Sequence, residues 1–409
     1  MATSVSRPNF DRQSTAEIAE DDYFTANPPP KALHSHSSLA DAFVELHLSQ
    51  NRRVVLVTSG GTTVPLENQT VRFIDNFSAG TRGATSAEYF LEAGYAVIFL
   101  HRQFSLLPYS RHYSHSTNCF LDFMTEARDG KVVVNEEYQE KMLDVLRKYN
   151  AAKRNNLLLL LSFTTITDYL WDLREIARLM RPLGSKALFY LAAAVSDFFV
   201  PKDRMTEHKI QSSEAGERLG NGNGADAGTA KDDEPSAHTE GRKLVIDLDP
   251  VPKFLKRLVD GWAPEGMIVS FKLETDPSIL VSKAQMALER YSHHLVIGNL
   301  LTTRKWEVVF IAPNTEEKWI IVPRHRRTKS ISGAAEEVGL AARKNREQED
   351  ETNGYVEETQ TKPEIEIESL IVPEVAKMHM DLIRKAQQRA QDIIGFQRGD
   401  SESLRSQLW

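Results

Sequence analysis

Cysteine is nearly absent from this sequence, which has Cys119 alone among its 409 residues. A single thiol excludes an intrachain disulfide and a cysteine-rich zinc site, and it fits a reducing compartment. The longest apolar run, Ala187 to Val195, is much shorter than the roughly 20 residues that cross a bilayer. We therefore expect no membrane segment and a cytoplasmic location, with a nuclear one also allowed.

Positive charge is not in excess either, since 57 acidic residues against 50 basic ones give a formal net charge of -7. Nucleic-acid binding and membrane-surface binding need a basic footprint, so neither partner is expected. Residues 1–30 lack the basic and apolar regions of a secretory signal. A small molecule is the expected ligand.

Short aliphatic runs alternate with helical periodicity through the chain. Val54 to Val57 and Ala96 to Leu100 are typical of buried strands, and Ala84, Ala87 and Leu91 share one helical face between them. A strand, a crossover helix and a strand form the unit of a parallel sheet. Further strands are expected at Leu188 to Ala192, Met267 to Phe271, Leu295 to Ile297, Val308 to Ile311 and Trp319 to Val322. We predict an α/β fold with a mostly parallel sheet, helices on both faces and an antiparallel hairpin at one edge.

Two polar stretches interrupt this pattern. Residues 212–242 and 324–365 carry few large apolar side chains, so they cannot bury enough surface to offset the entropy of ordering. We predict a disordered tail over 1–30, a folded domain over 31–323 with a disordered insertion at 212–242, and a disordered linker over 324–365. A C-terminal helix over 366–396 then docks on the domain, before a tail at 397–409.

Two glycine-bearing loops are candidate anion sites. Ser59 to Thr62 follows the first strand and offers backbone amides with little side-chain obstruction. Phe77 to Gly83 leads into a helix whose amino-terminal dipole favours phosphate, and Arg82 adds positive charge. The alternatives are an ordinary turn at Gly60 and, for the second loop, capping by Ser78 with Gly83 allowing close helix packing.

A third loop follows the strand at Leu188 to Ala192. Ala192, Ala193 and Ala194 would leave backbone groups open to a ligand, and Asp197 supplies a carboxylate beside them. The alternative is tight packing by the alanines and capping by Asp197. Lys209 directly precedes the insertion, where a lysine could close over a ligand, although most lysines are surface residues.

These motifs together resemble the eukaryotic phosphopantothenate-cysteine ligases. The resemblance covers roughly residues 39–323 and the last helix, without the two insertions, and the eukaryotic form is favoured because no flavin-dependent decarboxylase domain precedes the motifs. The matching segments are Val57 to Thr62, Val71 to Ser78, Ala192 to Asp197, His208 to Gln211 and Ser270 to Asp276.

The resemblance implies a Rossmann-like homodimer with a defined set of site residues. The positions that match the family's nucleotide-binding residues are Gly60, Ser78, Gly80, Gly83, Phe271 and Asn299. Those that match its substrate-binding residues are Arg72, Asn76, Ala193, Ala194 and Asp197. Asn76, Lys209 and Asp197 are the expected catalytic residues, and no protein metal ligand is expected. The first insertion adjoins Lys209 and departs from the family pattern.

The implied reaction joins 4′-phosphopantothenate to L-cysteine through an acyl-adenylate, with release of AMP and pyrophosphate, in coenzyme A biosynthesis. A carboxylate must be activated before an amine can attack it, and the family suggests ATP for this step, with CTP also allowed. Mg²⁺ would neutralise the phosphates. Other coenzyme A biosynthetic enzymes are further candidate partners.

Two other functions are compatible with parts of the sequence. Tyr149 and Lys153 have the spacing found in short-chain NAD(P)-dependent oxidoreductases, but no G-x-G-x-x-G motif follows the first strand. We instead place this pair on the polar face of a helix with Leu143 and Leu146 inward. An inactive scaffold of coenzyme A enzymes is the other alternative, and the joint presence of Asn76, Asp197 and Lys209 disfavours it.

Overall fold

The computed structural model describes residues 15–113, 120–210, 237–240, 243–291, 294–323 and 365–406. Among these residues, no helix combines the length and the apolar character that crossing a membrane requires. A π-helical turn, Leu258–Trp262, directly follows α6. The helices are α1 Thr15–Ala26, α2 Leu33–Ser49, α3 Thr81–Glu92, α4 Gln139–Arg154, α5 Ile166–Leu179, α6 Phe254–Arg257, α7 Leu280–Tyr291 and α8 Glu368–Ser406.

Eight of the strands form one central sheet in the order β16-β15-β14-β13-β8-β1-β4-β7. The strands from β14 to β7 in that order are parallel, and β15 and β16 add an antiparallel hairpin at one edge. The predicted α/β fold is confirmed. The strands are β1 Val54–Ser59, β2 Thr63–Pro65, β3 Phe73–Asp75, β4 Ala96–Arg102, β5 Met124–Glu126, β6 Val132–Val134, β7 Leu158–Phe163, β8 Ala187–Leu191, β9 Phe198–Phe199, β10 Ala237–Glu240, β11 Lys243–Ile246, β12 Asp249–Pro250, β13 Met267–Glu274, β14 Leu295–Leu300, β15 Glu307–Ile311 and β16 Lys318–Ile321.

The central strand β1 is buried along its whole length. Its side chains alternate between two apolar layers, so that Leu56 faces the layer under α2 and α5 while Val55 and Val57 face the layer under α3 and α8. Helices cover both faces of the sheet, which explains why its parallel strands are continuous aliphatic runs in the sequence.

The predicted tail over residues 1–30 is wrong for the segment that forms α1. Tyr23 and Phe24 are buried, and the Phe24 ring centroid lies 5.2 Å from that of Phe254. Glu20 is also buried and accepts a hydrogen bond from Trp262 Nε1 at 3.0 Å. Residues 1–30 are polar on average, and this average does not show the effect of two aromatic side chains. Aromatic residues bury a large apolar area, which favours docking of a short helix. Residues 1–14 lie outside the described residues.

The predicted insertion at 212–242 also needs correction at its end. Ala237–Glu240 pairs in antiparallel fashion with Lys243–Ile246, so this part is a strand. The rest of the insertion, and the predicted linker up to residue 364, lie outside the described residues. At the C terminus, α8 continues to Ser406, so the tail predicted from residue 397 is wrong over most of its length.

Strand β7 was not predicted, and the inward face of α4 differs from the predicted one. Leu143 and Leu146 are 39% and 49% exposed, whereas Ala152 is buried and Val145 and Tyr149 pack against the core. The inward positions are therefore displaced by a few residues from those predicted. Branched Val145 and aromatic Tyr149 outweigh the two leucines because they align with Ala152 on one helical face.

The C-terminal helix α8 packs on the sheet through its first turns, where Ile371, Val372 and Val375 are buried. Farther along, His379 is fully buried. Its Nε2 donates to the Ser185 carbonyl at 2.8 Å, and its Nδ1 accepts from the Tyr95 hydroxyl at 2.9 Å. Burial, together with the nearby Arg53 guanidinium, lowers the pKa of His379 from 6.5 to about 4.

This low pKa predicts an acid-sensitive contribution of His379 to stability. Between pH 6.5 and 4 the unfolded chain binds a proton that the folded chain excludes, so the contribution is complete above pH 6.5 and is lost as pH falls. The loss amounts to about 3 kcal/mol, because each pKa unit corresponds to ~1.4 kcal/mol. Denaturant unfolding of the wild type and of His379→Gln should give free energies that converge as pH falls from 7 to 4.5. A pH-independent difference between them would contradict this assignment.

Candidate active site

A cavity of about 830 Å³ lies beyond the carboxyl ends of β8 and β13. The order in which the chain adds strands to the sheet reverses here. Strands β4 and β7 are added on one side of β1, and β8, β13 and β14 are then added on its other side. Loops diverge at such a switch point and leave a crevice for ligands. The volume is in the range of small-molecule sites.

The amino terminus of α3 forms one wall of the cavity. Gly80 is its N-cap residue and adopts φ +82°, a left-handed conformation that a side chain would disfavour. Ser59 Oγ donates to the Gly80 carbonyl at 3.0 Å, and Ser78 Oγ accepts from Gly80 N at 3.4 Å. Since no side chain caps α3, its first amides and its positive dipole end are suited to a phosphate.

The loop after β8 forms the floor of the cavity, but its backbone amides are not open to a ligand as predicted. Ala193 N donates to Thr58 Oγ1 at 3.2 Å, and Ala194 N donates to the Gly60 carbonyl at 2.8 Å. The Ala194 carbonyl in turn accepts from Thr62 N at 3.0 Å. A backbone group at a strand end must find a partner, and here the neighbouring loop supplies it. The alanines therefore contribute their small size to the site.

Phe271 is the fifth of the eight residues of β13 and lines the cavity. Its centroid is 5.1 Å from that of Tyr190 in an edge-to-face contact, and the Tyr190 hydroxyl accepts from Ser86 Oγ at 3.0 Å. Asn299, on the adjacent strand β14, is 7% exposed and also lines the cavity. A fixed aromatic face beside a buried amide is suited to a planar base.

Basic residues outnumber acidic ones in the part of the cavity wall that the structure describes, where Asp197 is the single acidic residue. Lys283 and Arg290 lie seven residues apart on α7, hence on one face, and Lys272 directly follows Phe271. Neither Lys283 nor Arg290 was predicted, although their helical spacing places them on one face of α7. The basic residues that line the cavity are Arg82, Lys253, Lys272, Lys283, Arg290 and Arg304.

The buried carboxylate of Glu67 joins the segment that carries Arg72 to the segment that carries Lys209. Glu67 has no exposed surface; its Oε1 accepts from Arg72 Nη1 at 2.9 Å and from Ile210 N at 3.4 Å. Desolvation raises the pKa of Glu67, but hydrogen bonds from Arg72, Val71 and Ile210 outweigh it and leave the pKa below 4.5. Backbone amides on both sides and the Arg72 guanidinium therefore surround this carboxylate. Glu67 was not predicted, although it lies five residues before Arg72.

The predicted site residues divide into two groups. Ser78, Gly80, Ala193, Ala194, Asp197, Phe271 and Asn299 line the cavity, whereas Gly60, Arg72, Asn76, Gly83 and Lys209 do not. Asn76 N donates to the Thr62 carbonyl at 3.1 Å, which places Asn76 on the hairpin of β2 and β3 beside the cavity loops. Two of the three expected catalytic residues, Asn76 and Lys209, therefore lie outside the cavity lining, whereas Asp197 is part of it.

Comparison with known proteins identifies the family. The chain is 52% identical over 305 residues to the phosphopantothenate-cysteine ligase CAB2 of Saccharomyces cerevisiae, covering 74% of this chain and 80% of that one. It is 41% identical over 309 residues to the Homo sapiens phosphopantothenate-cysteine ligase, covering 74% and 90% of the two chains. The chain belongs to the phosphopantothenate-cysteine ligase family. The resemblance predicted from the sequence motifs is thus confirmed.

Two further similarities agree with membership of this ligase family. Residues 50–154 match the DNA/pantothenate metabolism flavoprotein C-terminal domain. A solved structure of a Cab2 variant in complex with phosphopantothenate-cysteine superposes with a TM-score of 0.71 at 43% identity, covering 90% of this chain and 99% of that one. The oxidoreductase alternative is not supported, and Tyr149 and Lys153 lie on α4, outside the cavity lining.

A substitution at Gly83 tests whether this glycine allows close helix packing, which is the alternative to a role in nucleotide binding. A Cβ at this position would lie 2.5 Å from Ser59 Cβ, so Gly83 permits the close approach of α3 to β1. Gly83→Ala should lower the free energy of unfolding by about 1–3 kcal/mol, as overpacking does. Gly261→Ala is the matched control, because its Cβ would meet the Arg257 guanidinium at 3.4 Å or more. Equal melting temperatures of Gly83→Ala and Gly261→Ala would show that close packing of α3 on Ser59 does not depend on Gly83.

Proposed function

We propose that this chain joins 4′-phosphopantothenate to L-cysteine with ATP, as a step of coenzyme A biosynthesis. The carrying observation is the cavity wall, where six basic residues face one acidic residue in a chain with net charge -7. Such a wall suits two phosphate-bearing ligands bound together. The named relatives and the Cab2 complex with phosphopantothenate-cysteine support the same assignment.

The nucleotide occupies the half of the cavity between α3 and α7 in this proposal. Ser78 and Gly80 present the helix amino terminus to its phosphates, and Phe271 and Asn299 face its base. The other half is lined by apolar side chains such as Leu173 and Phe254, which suit the pantothenate arm. CTP in place of ATP fits the same geometry.

Activation of the carboxylate comes first. The phosphopantothenate carboxylate attacks the α-phosphate, giving an acyl-adenylate and pyrophosphate, and the cysteine amine then displaces AMP. Mg²⁺ would neutralise the phosphate charge. The described residues contain no cluster of three His, Cys, Asp or Glu side chains that could hold a metal. The site fits a Mg²⁺ carried mainly by phosphate oxygens, as is usual for this ion.

The chain's own side chains orient and stabilise the reacting groups in this scheme. Asn76 donates to the acyl oxygen as charge develops there, and Lys209 stabilises the adenylate phosphate or the leaving group. Asp197 is exposed in the cavity wall and orients the cysteine ammonium or accepts its proton. Arg72 holds substrate near the hairpin of β2 and β3.

We also propose that the active unit is a homodimer whose sites are shared between chains. Phe77 and Phe104 are 87% and 86% exposed, and Phe104 adopts φ +67°, which is strained for an aromatic residue. The segments carrying them are adjacent, since Arg102 forms an ion pair with Asp75. Among the described residues, strand β7 next to them is the edge strand of the sheet. Exposed apolar side chains beside an open edge favour a second copy, whose cavity Asn76 and Lys209 would complete.

The reaction is tested by pyrophosphate release with 4′-phosphopantothenate, L-cysteine and either ATP or CTP. We expect release that requires both substrates, together with AMP or CMP. Asn76→Ala and Lys209→Ala should each lower kcat by about a hundredfold, as loss of a donor to a developing charge does. If both variants released AMP or CMP at nearly the wild-type rate, the proposed roles of Asn76 and Lys209 would be wrong.

The shared site is tested by mixing two inactive variants. A chain with Asn76→Ala would disable the cavity of its partner, and a chain with Phe271→Ala would disable its own cavity. In a heterodimer both changes affect the same cavity, so the other cavity stays intact. A one-to-one mixture allowed to exchange subunits should regain about a quarter of wild-type activity, because half of the dimers are mixed and each has half its sites. Asn76→Ala mixed with Lys209→Ala is the control and should stay inactive. Recovery in neither mixture would place each site within one chain.

A further inference from the structure

Arg82 at the mouth of the cavity is held by groups that are far away in sequence. Its Nη1 donates to Glu368 Oε1 at 2.8 Å, and its Nη2 donates to the Arg304 carbonyl. Its guanidinium carbon also lies 5.9 Å from the Phe271 ring centroid. Arg82 is in the first turn of α3, so these contacts fix a cation beside the helix amino terminus.

Glu368 is an unusual partner because it is 7% exposed and belongs to the first turn of α8. Burial raises the pKa of this carboxyl, and the Arg82 guanidinium opposes that change. Two residues earlier, Glu366 accepts from Arg111 Nη1 at 2.6 Å and from Tyr89 Oη at 3.2 Å. The start of α8 is therefore fixed to α3 and to the loop after β4 by charged contacts.

We propose that Glu368 is a positioning residue of the nucleotide site and acts through Arg82. The inference rests on the proposed function only in assigning a nucleoside triphosphate to this cavity. An arginine side chain loses substantial rotamer entropy when a ligand immobilises it. Glu368 holds the guanidinium in place beforehand, so that this loss does not weaken phosphate binding. The carboxylate itself does not line the cavity and so does not touch the ligand.

A double-mutant cycle measures this coupling directly. Calorimetric titration with ATP and with CTP needs no turnover, so its outcome is separate from whether the chain forms the cysteine conjugate. Glu368→Ala should weaken binding of the preferred nucleotide about tenfold, the size expected for a hydrogen bond between charged groups. In an Arg82→Ala background the same change should have no further effect, since coupled residues are not additive. In turnover, KM for the nucleotide should rise while kcat stays within about twofold.

Two further variants separate positioning from folding. Glu368→Gln keeps an oxygen acceptor of the same shape, so it should bind nucleotide with an affinity between wild type and Glu368→Ala. Glu374→Ala removes another acid of α8 whose partner, Lys318, lies outside the cavity, and it should leave nucleotide binding unchanged. A lower melting temperature of Glu368→Ala with unchanged nucleotide affinity would show that the ion pair of Arg82 and Glu368 only stabilises the fold. Additive losses in the double variant, or a wild type that binds neither nucleotide, would equally overturn the proposal.

Discussion

The geometry of the site depends on the hydrogen bonds that join the loop after β1 to the loop after β8. Ala194 donates to the Gly60 carbonyl and accepts from Thr62 N, which ties the two loops at one residue. Chains diverge where the strand order of a parallel sheet reverses. Here a parallel bridge between Gly61 and Ala194 extends the pairing of β1 with β8 into the two loops. The Thr62 carbonyl also accepts from Asn76 N, so the same loop places the hairpin of β2 and β3.

Electrostatics complement this rigid frame. The chain is acidic as a whole, yet the cavity collects basic side chains from α3, β13, α7 and the loops around them. Like charges that face one enclosed space repel each other, and an anionic ligand relieves that repulsion. Glu67 shows the reverse arrangement, where backbone and guanidinium donors surround one buried carboxylate and join two loops.

Periodicity in the sequence predicted seven of the eight strands of the central sheet and missed β7. Buried parallel strands are aliphatic runs, and the helices between them have one apolar face. The resemblance to the ligase family, and not periodicity, indicated Ser78, Gly80, Phe271 and Asn299 as site residues, and all four line the cavity. Periodicity failed for α1, where Tyr23 and Phe24 anchor an otherwise polar segment. It also could not show that the Ala193 and Ala194 amides are already bonded, since those partners lie more than a hundred residues away. Long-range pairing leaves no local pattern.

The ion pair between Arg82 and Glu368 joins residues 286 positions apart. During synthesis the ribosome extends α3 and most of the sheet well before α8 emerges, so a nascent chain has the crevice without its final brace. A chain that ended before α8 would keep every strand of the central sheet, but Arg82 would lack the Glu368 carboxylate. Synthesis as far as α8 is therefore a condition for the full set of contacts that hold Arg82 at the cavity.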